Sequence, residues 1–404
     1  SLSTVRGEGN GYADTPRPEI AGRLPAEAIS SVLLGFPNVR VGDVDLDDAV
    51  WEMVVDRVDG EFLAEPVRRV WVDDFDLALD RVEHEAGTGY QPGGPILSET
   101  AEASIGTVVF APGDGFVELT VTGIAMSSGR HDVTIESVEF SPTTEDLPTL
   151  VERVQNQTLA NVETGRITLQ GRVLGNYVDT GEWEAELLEV QSPLIQLYET
   201  VRPSATADAS ATENTDSLTQ VLASIGLVHV DEIAIRNGIY ERRQAEPGYD
   251  WEVIPPPVET VQNLDVTIRG FDTDPELGMR RLLLSEGVSV SADELATPLG
   301  DEGGSLAMRG VALSSDDATL RIDSALLSTR SVNGDNDIEV GAIDLDNVPY
   351  GRFFRSLVEP RYSGTTPVIA AMVDRDLRLR IDGVSGALDN GARNVTLGSI
   401  VGAA

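Results

Sequence analysis

Two stretches of this chain carry nearly the same amphipathic pattern, and this repetition limits the folds available to it. The first is GIAMSSGRHDVTIESVEFS at residues 123–141, and the second is GVALSSDDATLRIDSALLS at residues 310–328. They align without a gap at an offset of 187 residues, with seven of nineteen positions identical. A pattern that recurs at a fixed distance is typical of a protein built from repeated structural units.

Three further pairs of segments recur in the same order along the chain. The aligned pairs are 30–46 with 219–235, 69–79 with 263–273, and 165–173 with 341–349. These pairs predict two copies of a unit of about 190 residues. The stretch RPSATADASATENTD at 202–216 is rich in small and polar residues and is typical of a linker. We therefore expect a polar N-terminal tail at 1–21, a first repeat unit at 22–205 and a second repeat unit at 206–404.

Most of each copy alternates between apolar and polar residues with a period of two. This pattern indicates strands with one apolar and one solvated face, as in an antiparallel sheet covered on one side only. Helical patterns are few and short, at 24–36, 145–159, 215–226 and 350–359. The predicted fold is mainly β, an elongated and curved antiparallel sheet built from two repeats with a few short helices. The apolar positions that would line one face include Val133, Ile135, Leu264, Val266, Ile268, Leu320 and Ile322.

Composition excludes several classes of partner and site. The formal net charge of −39 disfavours binding to nucleic acid and to anionic lipid headgroups. The absence of cysteine excludes disulfides and thiolate chemistry. All 29 basic residues are arginine, which favours either adaptation to concentrated salt or a GC-rich genome. No apolar run is long enough to span a bilayer, and the N-terminal segment does not have the pattern of a signal peptide.

The search for catalytic or metal-binding residues finds no convincing set. His131 is predicted in a turn and His84 in a loop, while His229 is predicted to face water from a strand; none has a ligand spacing. The acidic segments at 43–48 and 335–339 do not match an EF-hand loop, and a solvated acidic face explains them better. There is no nucleophile elbow and no nucleotide-binding loop. We therefore expect a protein that is not an enzyme, with no catalytic residue, cofactor or metal site.

Three segments of the second copy form a recognisable series: a strand pair with a short Asn-Gly hairpin in VHVDEIAIRNGIYERR (228–243), the strand NLDVTIRGF (263–271), and the strand pair at 304–328. Through these segments the chain shows a resemblance to the AsmA-like family of bacterial envelope proteins. The resemblance extends over about 21–388. The first copy departs from the pattern, because it has DDAVWEM at 47–53 where the second has RNGIYER.

The resemblance implies a periplasmic protein of the cell envelope that is anchored to the inner membrane through a segment outside this sequence. It also implies a β-groove whose apolar lining holds lipid acyl chains, with a role in lipid transfer or outer-membrane biogenesis. The seven apolar residues named above would line that groove. A structural or adhesive β-repeat module, whose apolar faces close into sandwich cores without lipid, has the same alternation and stays open as the alternative. An enzyme acting on cell-wall or carbohydrate substrates is a third, less favoured interpretation.

The excess of acidic residues predicts that salt stabilises the fold. Self-repulsion among unscreened charges falls as the Debye length shortens from about 30 Å at 0.01 M to about 3 Å at 1 M salt. The melting temperature should therefore rise between dilute buffer and about 1 M NaCl. A melting temperature that stays flat over this range would show that the missing lysine reflects base composition instead.

Overall fold

A computed structural model gives the fold of this chain. It describes residues 39–55, 57–58, 61–62, 68–84, 100–112, 117–128, 131–142, 159–171, 183–200, 228–245, 254–273, 285–299, 304–331, 334–350, 377–388, 393–398 and 400–403. The predicted boundaries at 21/22 and 205/206 lie outside these residues and stay predictions. The four predicted helices also lie outside them, except for Leu159, which is in a strand, and Tyr350, which has helical geometry.

The described residues form 24 strands. In the first half these are β1 (Val39–Val55), β2 (Arg57–Val58), β3 (Glu61–Phe62), β4 (Arg68–His84), β5 (Thr100–Pro112), β6 (Val117–Ser127), β7 (Asp132–Ile135), β8 (Ser137–Pro142), β9 (Leu159–Thr164), β10 (Ile167–Gln170), β11 (Trp183–Gln191) and β12 (Leu194–Thr200). In the second half they are β13 (Val228–Ala245), β14 (Pro257–Asp272), β15 (Gly287–Leu299), β16 (Gly304–Ser314), β17 (Thr319–Ile322), β18 (Ser324–Ser331), β19 (Gly334–Val340), β20 (Ile343–Asp346), β21 (Arg378–Ile381), β22 (Val384–Leu388), β23 (Arg393–Leu397) and β24 (Ile400–Ala403).

These strands confirm the predicted β-rich, mostly antiparallel fold. They cover nearly half of the 404 residues, well above the ~20–25% typical of globular proteins. The chain divides into two compact units, which are described separately below. Unit 1 comprises 1–150, 160–190 and 226–230, and unit 2 comprises 151–159, 191–225 and 231–404.

The strand pairing of the first copy recurs in the second copy, residue by residue. Strand β6 pairs with β7 through Met126 and Val133, and β16 pairs with β17 through Leu313 and Leu320, both at an offset of 187. The neighbouring pairs β6–β8 and β16–β18 keep the same offset, as do β5–β6 and β15–β16. Strands β9 and β10 have β19 and β20 as their counterparts, each with the same partners. The structure therefore extends the sequence repeat to a shared set of paired strands.

One of the sequence alignments is wrong in register. The sequence aligned 69–79 with 263–273, but the pairing places Asp76 opposite Ser104 and Asp265 opposite Ser291. These equivalent pairs align 69–79 with 258–268, five residues away from the sequence alignment. The error has a physical reason, because a period-two pattern specifies which residues share a face but not which residues pair across strands.

Several long strands, and pairs of collinear short strands, contain a phase break. We use this term for the point where successive apolar residues are spaced by three instead of two. In the second copy Leu320 and Ile322 precede the break and Ala325 follows it; in β16, Met308 precedes the break and Val311 follows it. One residue at the break departs from extended backbone, as Gly310 does with its φ of 61°, while the register between β15 and β16 continues unchanged across it. The apolar side chains on both sides of the break can therefore keep to one face of the sheet.

The phase breaks of neighbouring strands lie side by side, and equivalent residues occupy them in both copies. Asp74 of the first copy and Asn263 of the second have φ values of 52° and 51°, and Gly123 and Gly310 have φ values of 65° and 61°. Left-handed backbone of this kind favours Gly, Asn and Asp. The side chains of Glu136 and Asp323 lie against the Cα atoms of Gly123 and Gly310, where a β-carbon would collide with them.

The sequence also predicted an Asn-Gly hairpin in the second copy, and this prediction is wrong. Strand β13 runs without interruption from Val228 to Ala245, through Asn237 and Gly238. Asn237 has a φ of 55°, and its backbone N–H donates to Oδ1 of Asp265 on β14 at 2.8 Å. A single left-handed residue bonded to the next strand makes a bulge, whereas a two-residue hairpin loop would reverse the chain.

Replacing Gly310 with alanine should lower the free energy of unfolding by about 1–2 kcal/mol or more, because left-handed backbone costs an L-residue about that much. The side chain of Asp323 would also have to move. Chemical denaturation monitored by circular dichroism measures the change. Gly386→Ala is the matched control, since the nearest atom to its added β-carbon is 3.6 Å away and its φ is not left-handed. An equal loss in both variants would contradict the role given to the phase break.

Candidate functional site

Directly paired residues point to the same face of a sheet, so the pairing registers trace rows of side chains across the strands. In unit 2 one row is apolar over six neighbouring strands, β14, β15, β16, β17, β20 and β21. We call it the apolar row of unit 2, and its members are Val266, Val290, Leu313, Leu320, Leu345 and Leu379.

Unit 1 has the equivalent row, which we call the apolar row of unit 1. It crosses β4, β5, β6, β7, β10 and β11. Its members are Leu77, Ala103, Met126, Val133, Leu169 and Leu188. Each member is the repeat counterpart of the member at the same place in unit 2, so both copies keep a continuous apolar row.

A second apolar row of unit 2 lies on the other side of the phase breaks. It runs over β14, β15, β16, β18, β19 and β22. Its members are Val261, Leu295, Met308, Ala325, Val340 and Val384. The sheet of unit 2 therefore carries apolar side chains on both sides of its phase breaks.

Every member of the apolar row of unit 1 and of the apolar row of unit 2 is neither buried nor fully exposed, whereas Ala325 of the second apolar row of unit 2 is buried. A face that is covered by a second packed layer places its large apolar side chains in full contact with that layer. Among the described residues of unit 2, burial occurs beside the row, as at Val288 with 2% and Ala292 with 6% exposure, and also away from it, as at Ala234 and Tyr350. The side chains of the rows thus remain partly accessible from solvent.

The structure brings several of the seven predicted groove residues together. Val266 and Leu320 lie in the apolar row of unit 2, and Val133 lies in that of unit 1. Ile135 pairs with Ile167, and Ile322 pairs with Ile343, one step along the strands from the rows. The remaining two are on β14, on either side of Val266: Leu264 and Ile268. Ile322 is the only one of the seven that is fully buried, at 8% exposure.

Sequence reasoning missed the residues that connect these positions into rows. Leu313, Leu345 and Leu379 join Leu320 across the sheet, but they are far apart in the chain. The periodicity of each strand marks them as apolar-face residues. Their alignment in one row depends on the pairing register, which periodicity does not specify.

The opposite face of the same strands is polar. Arg321 pairs with Asp344, which pairs with Arg380, and the Nε of Arg321 lies 3.8 Å from Oδ1 of Asp344. Arg380 also donates to Asp382, with its Nε 3.0 Å from Oδ1, and this hydrogen bond raises the pKa of Arg380. Such exposed pairs add little stability each. They do keep charge on the face away from the apolar row.

A denser charged cluster lies where β12, β13 and β14 meet in unit 2. The Nε of Arg242 donates to Glu259 at 2.8 Å, and its Nη1 donates to Glu199 at 3.4 Å. Partial burial disfavours the charged guanidinium, but these two carboxylates outweigh it and raise the pKa of Arg242. In the same way, burial opposes the ionisation of Glu241, yet hydrogen bonds from Gln196 and Arg243 lower its pKa. These ion pairs link β12, β13 and β14, which indicates a structural role for the cluster.

The histidines occupy positions that do not indicate catalysis. His131 is exposed in a turn with a φ of 56°, and its counterpart Ala318 has a φ of 53°, so the position needs a backbone shape rather than an imidazole. His229 is exposed next to the buried Val230, as predicted. The prediction that His84 lies in a loop is wrong, because it ends β4 and pairs with Val39.

Within the described residues, no group of three or more His, Cys, Asp or Glu side chains is arranged to hold a metal ion. The acidic segment at 43–48 lies in β1, and the one at 335–339 lies in β19. Alternate residues of a strand share one face, so the carboxylates of Asp337 and Glu339 lie along β19 instead of converging on a point.

Comparison with known proteins gives no relative: no family model matches the sequence, and neither a curated protein nor a solved structure matches the chain. Among the residues that the structure describes, no helix has the length and apolar character needed to cross a membrane.

The buried Tyr350 predicts a loss of stability at high pH. Its hydroxyl donates to the carbonyl oxygen of Thr319 at 2.6 Å, and burial raises its pKa to about 12. The unfolded chain ionises near pH 10, so the stabilisation is complete below about pH 10 and is lost as the pH rises towards 12. Tyr350→Phe should cost about 1 kcal/mol at pH 8. That difference from the wild type should shrink between pH 10 and 12 in denaturant titrations; a constant difference would contradict the assignment.

Proposed function

We propose that this chain is a non-enzymatic protein of the cell envelope that binds lipid acyl chains along its apolar rows. It would serve lipid transfer between membranes or outer-membrane biogenesis. The observation that carries the proposal is the apolar row of unit 2, which is uninterrupted over six strands and partly accessible at every member.

The dimensions and chemistry of the row suit an acyl chain. Six strands spaced about 4.8 Å apart span about 24 Å. An acyl chain gains about 0.8 kcal/mol for each CH₂ group that it buries. None of the row side chains is polar, so nothing in the row would fix the chain at one point. A cargo held in this way can slide along the row, which is what transfer requires.

The exposure of the rows favours this proposal over the closed structural module. In a sandwich, Leu313, Leu320 and Leu345 would be among the most buried residues of the chain. They are instead partly exposed. The charges on the opposite face, including Arg321 and Asp344, leave the apolar side as the surface for a lipid.

The cellular location rests on the resemblance to AsmA-like proteins. On that ground we propose that the protein lies in the periplasm, held at the inner membrane by a segment outside this sequence. The net charge of −39 agrees with a protein that takes up acyl chains but does not adhere to anionic headgroups.

The proposal is tested by placing a charge in the row. Leu320→Asp puts a carboxylate on the apolar side of β17, where partial exposure lets it reach water. We expect the fold to survive and the uptake of a fluorescent fatty acid to fall at least tenfold, since displacing about two CH₂ groups costs that factor. Thr319→Asp is the matched control: it adds the same charge to the adjacent residue of β17, on the other face, and should leave uptake unchanged.

Native mass spectrometry of the purified wild-type protein gives an independent measurement. We expect additional masses in the range of acyl lipids, which organic extraction removes. The proposal is wrong if the wild type neither carries lipid nor takes up the fatty acid. It is also wrong if both substitutions reduce uptake equally.

A further inference from the structure

The sheet of unit 2 contains a parallel pair in otherwise antiparallel surroundings. Strand β12 pairs with β13 in parallel from Leu194 opposite Ile239 to Thr200 opposite Ala245. In the repeat, β12 is the last strand of the first copy, and β13 is the first strand of the second copy. This pair therefore shows how the end of one copy joins the beginning of the next.

The first described strand, β1, is the repeat counterpart of β13. Val41, Val44 and Leu46 align with the matching apolar residues of β13 at an offset of 189. Each strand lies against the same neighbour: Met53 is opposite Val70 of β4, and its counterpart Arg242 bonds to Glu259 of β14. Among the described strands β1 pairs with β4 alone. Its other edge corresponds to the edge of β13 that pairs with β12.

The counterpart of β12 is β22. Strands β11 and β21 pair equivalently with β10 and β20, and the residues before β12 and β22 are left-handed in both copies, at Ser192 and Gly383. The edge of β22 is covered by β23, a strand of five residues, and that of β21 by β24, a strand of four. Two residues of β24 are exposed, Ile400 at 42% and Val401 at 78%. Strands of four and five residues add few backbone hydrogen bonds to a sheet edge, so a longer strand can displace them.

We propose that this chain associates head to tail with a second copy of itself. Strand β1 of one molecule pairs in parallel with β22 of the other molecule, in place of residues 393–403 of that second molecule. The partner is a second copy because β1 is the described strand that repeats the first strand after β12. The apolar face would then continue from one molecule into the next.

The parallel pair within the chain fixes the register of this contact. Gln196 of β12 is opposite Glu241 of β13. Their counterparts, at offsets of 191 and 189, are Ala387 of β22 and Glu52 of β1. Residues directly opposite each other on neighbouring strands are about 4.8 Å apart, within the ~4.4–6.8 Å that a disulfide can bridge.

Charge sets the conditions under which the association is measurable. Each copy carries a formal charge of −39, so two copies repel strongly in dilute buffer. At about 1 M salt the Debye length is about 3 Å, and the repulsion is largely screened. The association should therefore strengthen with ionic strength.

The test uses two full-length variants, each with a single cysteine, because the natural sequence has none. Ala387→Cys and Glu52→Cys proteins are mixed at about 1 M salt and oxidised. We expect a disulfide-linked dimer from the mixture. The matched control replaces Glu52→Cys by Asp45→Cys, seven residues away on β1 and therefore about 23 Å along the strand. This control should give at least tenfold less dimer.

Sedimentation of the unsubstituted protein gives a second measurement that does not depend on the variants folding. Its mass should rise above the 43.2 kDa of one chain as protein and salt concentrations increase. A mass that stays at one chain, together with no dimer from the mixed variants, overturns the proposal. Equal cross-linking with Asp45→Cys overturns it as well, since the contact would then have no register. Neither outcome depends on lipid uptake.

Discussion

The common apolar face of the sheet depends on the phase breaks, which lie side by side in neighbouring strands such as β15, β16 and the collinear pair β17 and β18. Without them, the alternation in β17 and β18 would put Leu320 on one face and Leu327 on the other. Each face would then be half apolar, and hydrophobic burial would have no single side on which to act. One residue with a left-handed or bulged backbone, such as Gly310, restores a common face at a local conformational cost. The apolar rows therefore follow from a backbone constraint as much as from residue type.

The two copies satisfy this constraint with different side chains. In the first, the side chain of Asp74 lies against Gly106, where a β-carbon would collide with it. In the second, the counterparts are Asn263 and Asp293, and the Nδ2 of Asn263 donates to Oδ2 of Asp293 at 2.6 Å. Gly106 of the first copy is thus replaced by Asp293 with its hydrogen-bonded carboxylate in the second. The residues opposite them, Asp74 and Asn263, nevertheless have nearly the same φ. The backbone geometry is thus what the repeat preserves, and the side chains are fitted to it.

The sequence was sufficient to predict the strands, the repeat and the apolar side of each strand, because all three follow from periodicity. It also contained the phase break, since Ile338 and Val340 are followed by Ile343 and Leu345 at a spacing of three. What periodicity could not supply was the register between strands, and the alignment of 69–79 failed for that reason. Asn237 and Gly238 misled in another way, because their preference for left-handed backbone is shared by hairpins and bulges.

A sheet with an accessible apolar face and weakly covered edges is prone to uncontrolled association. This chain places its charge where it opposes that outcome. Acidic and arginine residues alternate on the face opposite the apolar row, as in Arg321, Asp344 and Arg380, and acids are in excess over the chain as a whole. Long-range repulsion then acts on every encounter, whereas an apolar contact gains energy only where two surfaces fit. Charge of this kind therefore opposes unspecific stacking as long as the repulsion is not screened.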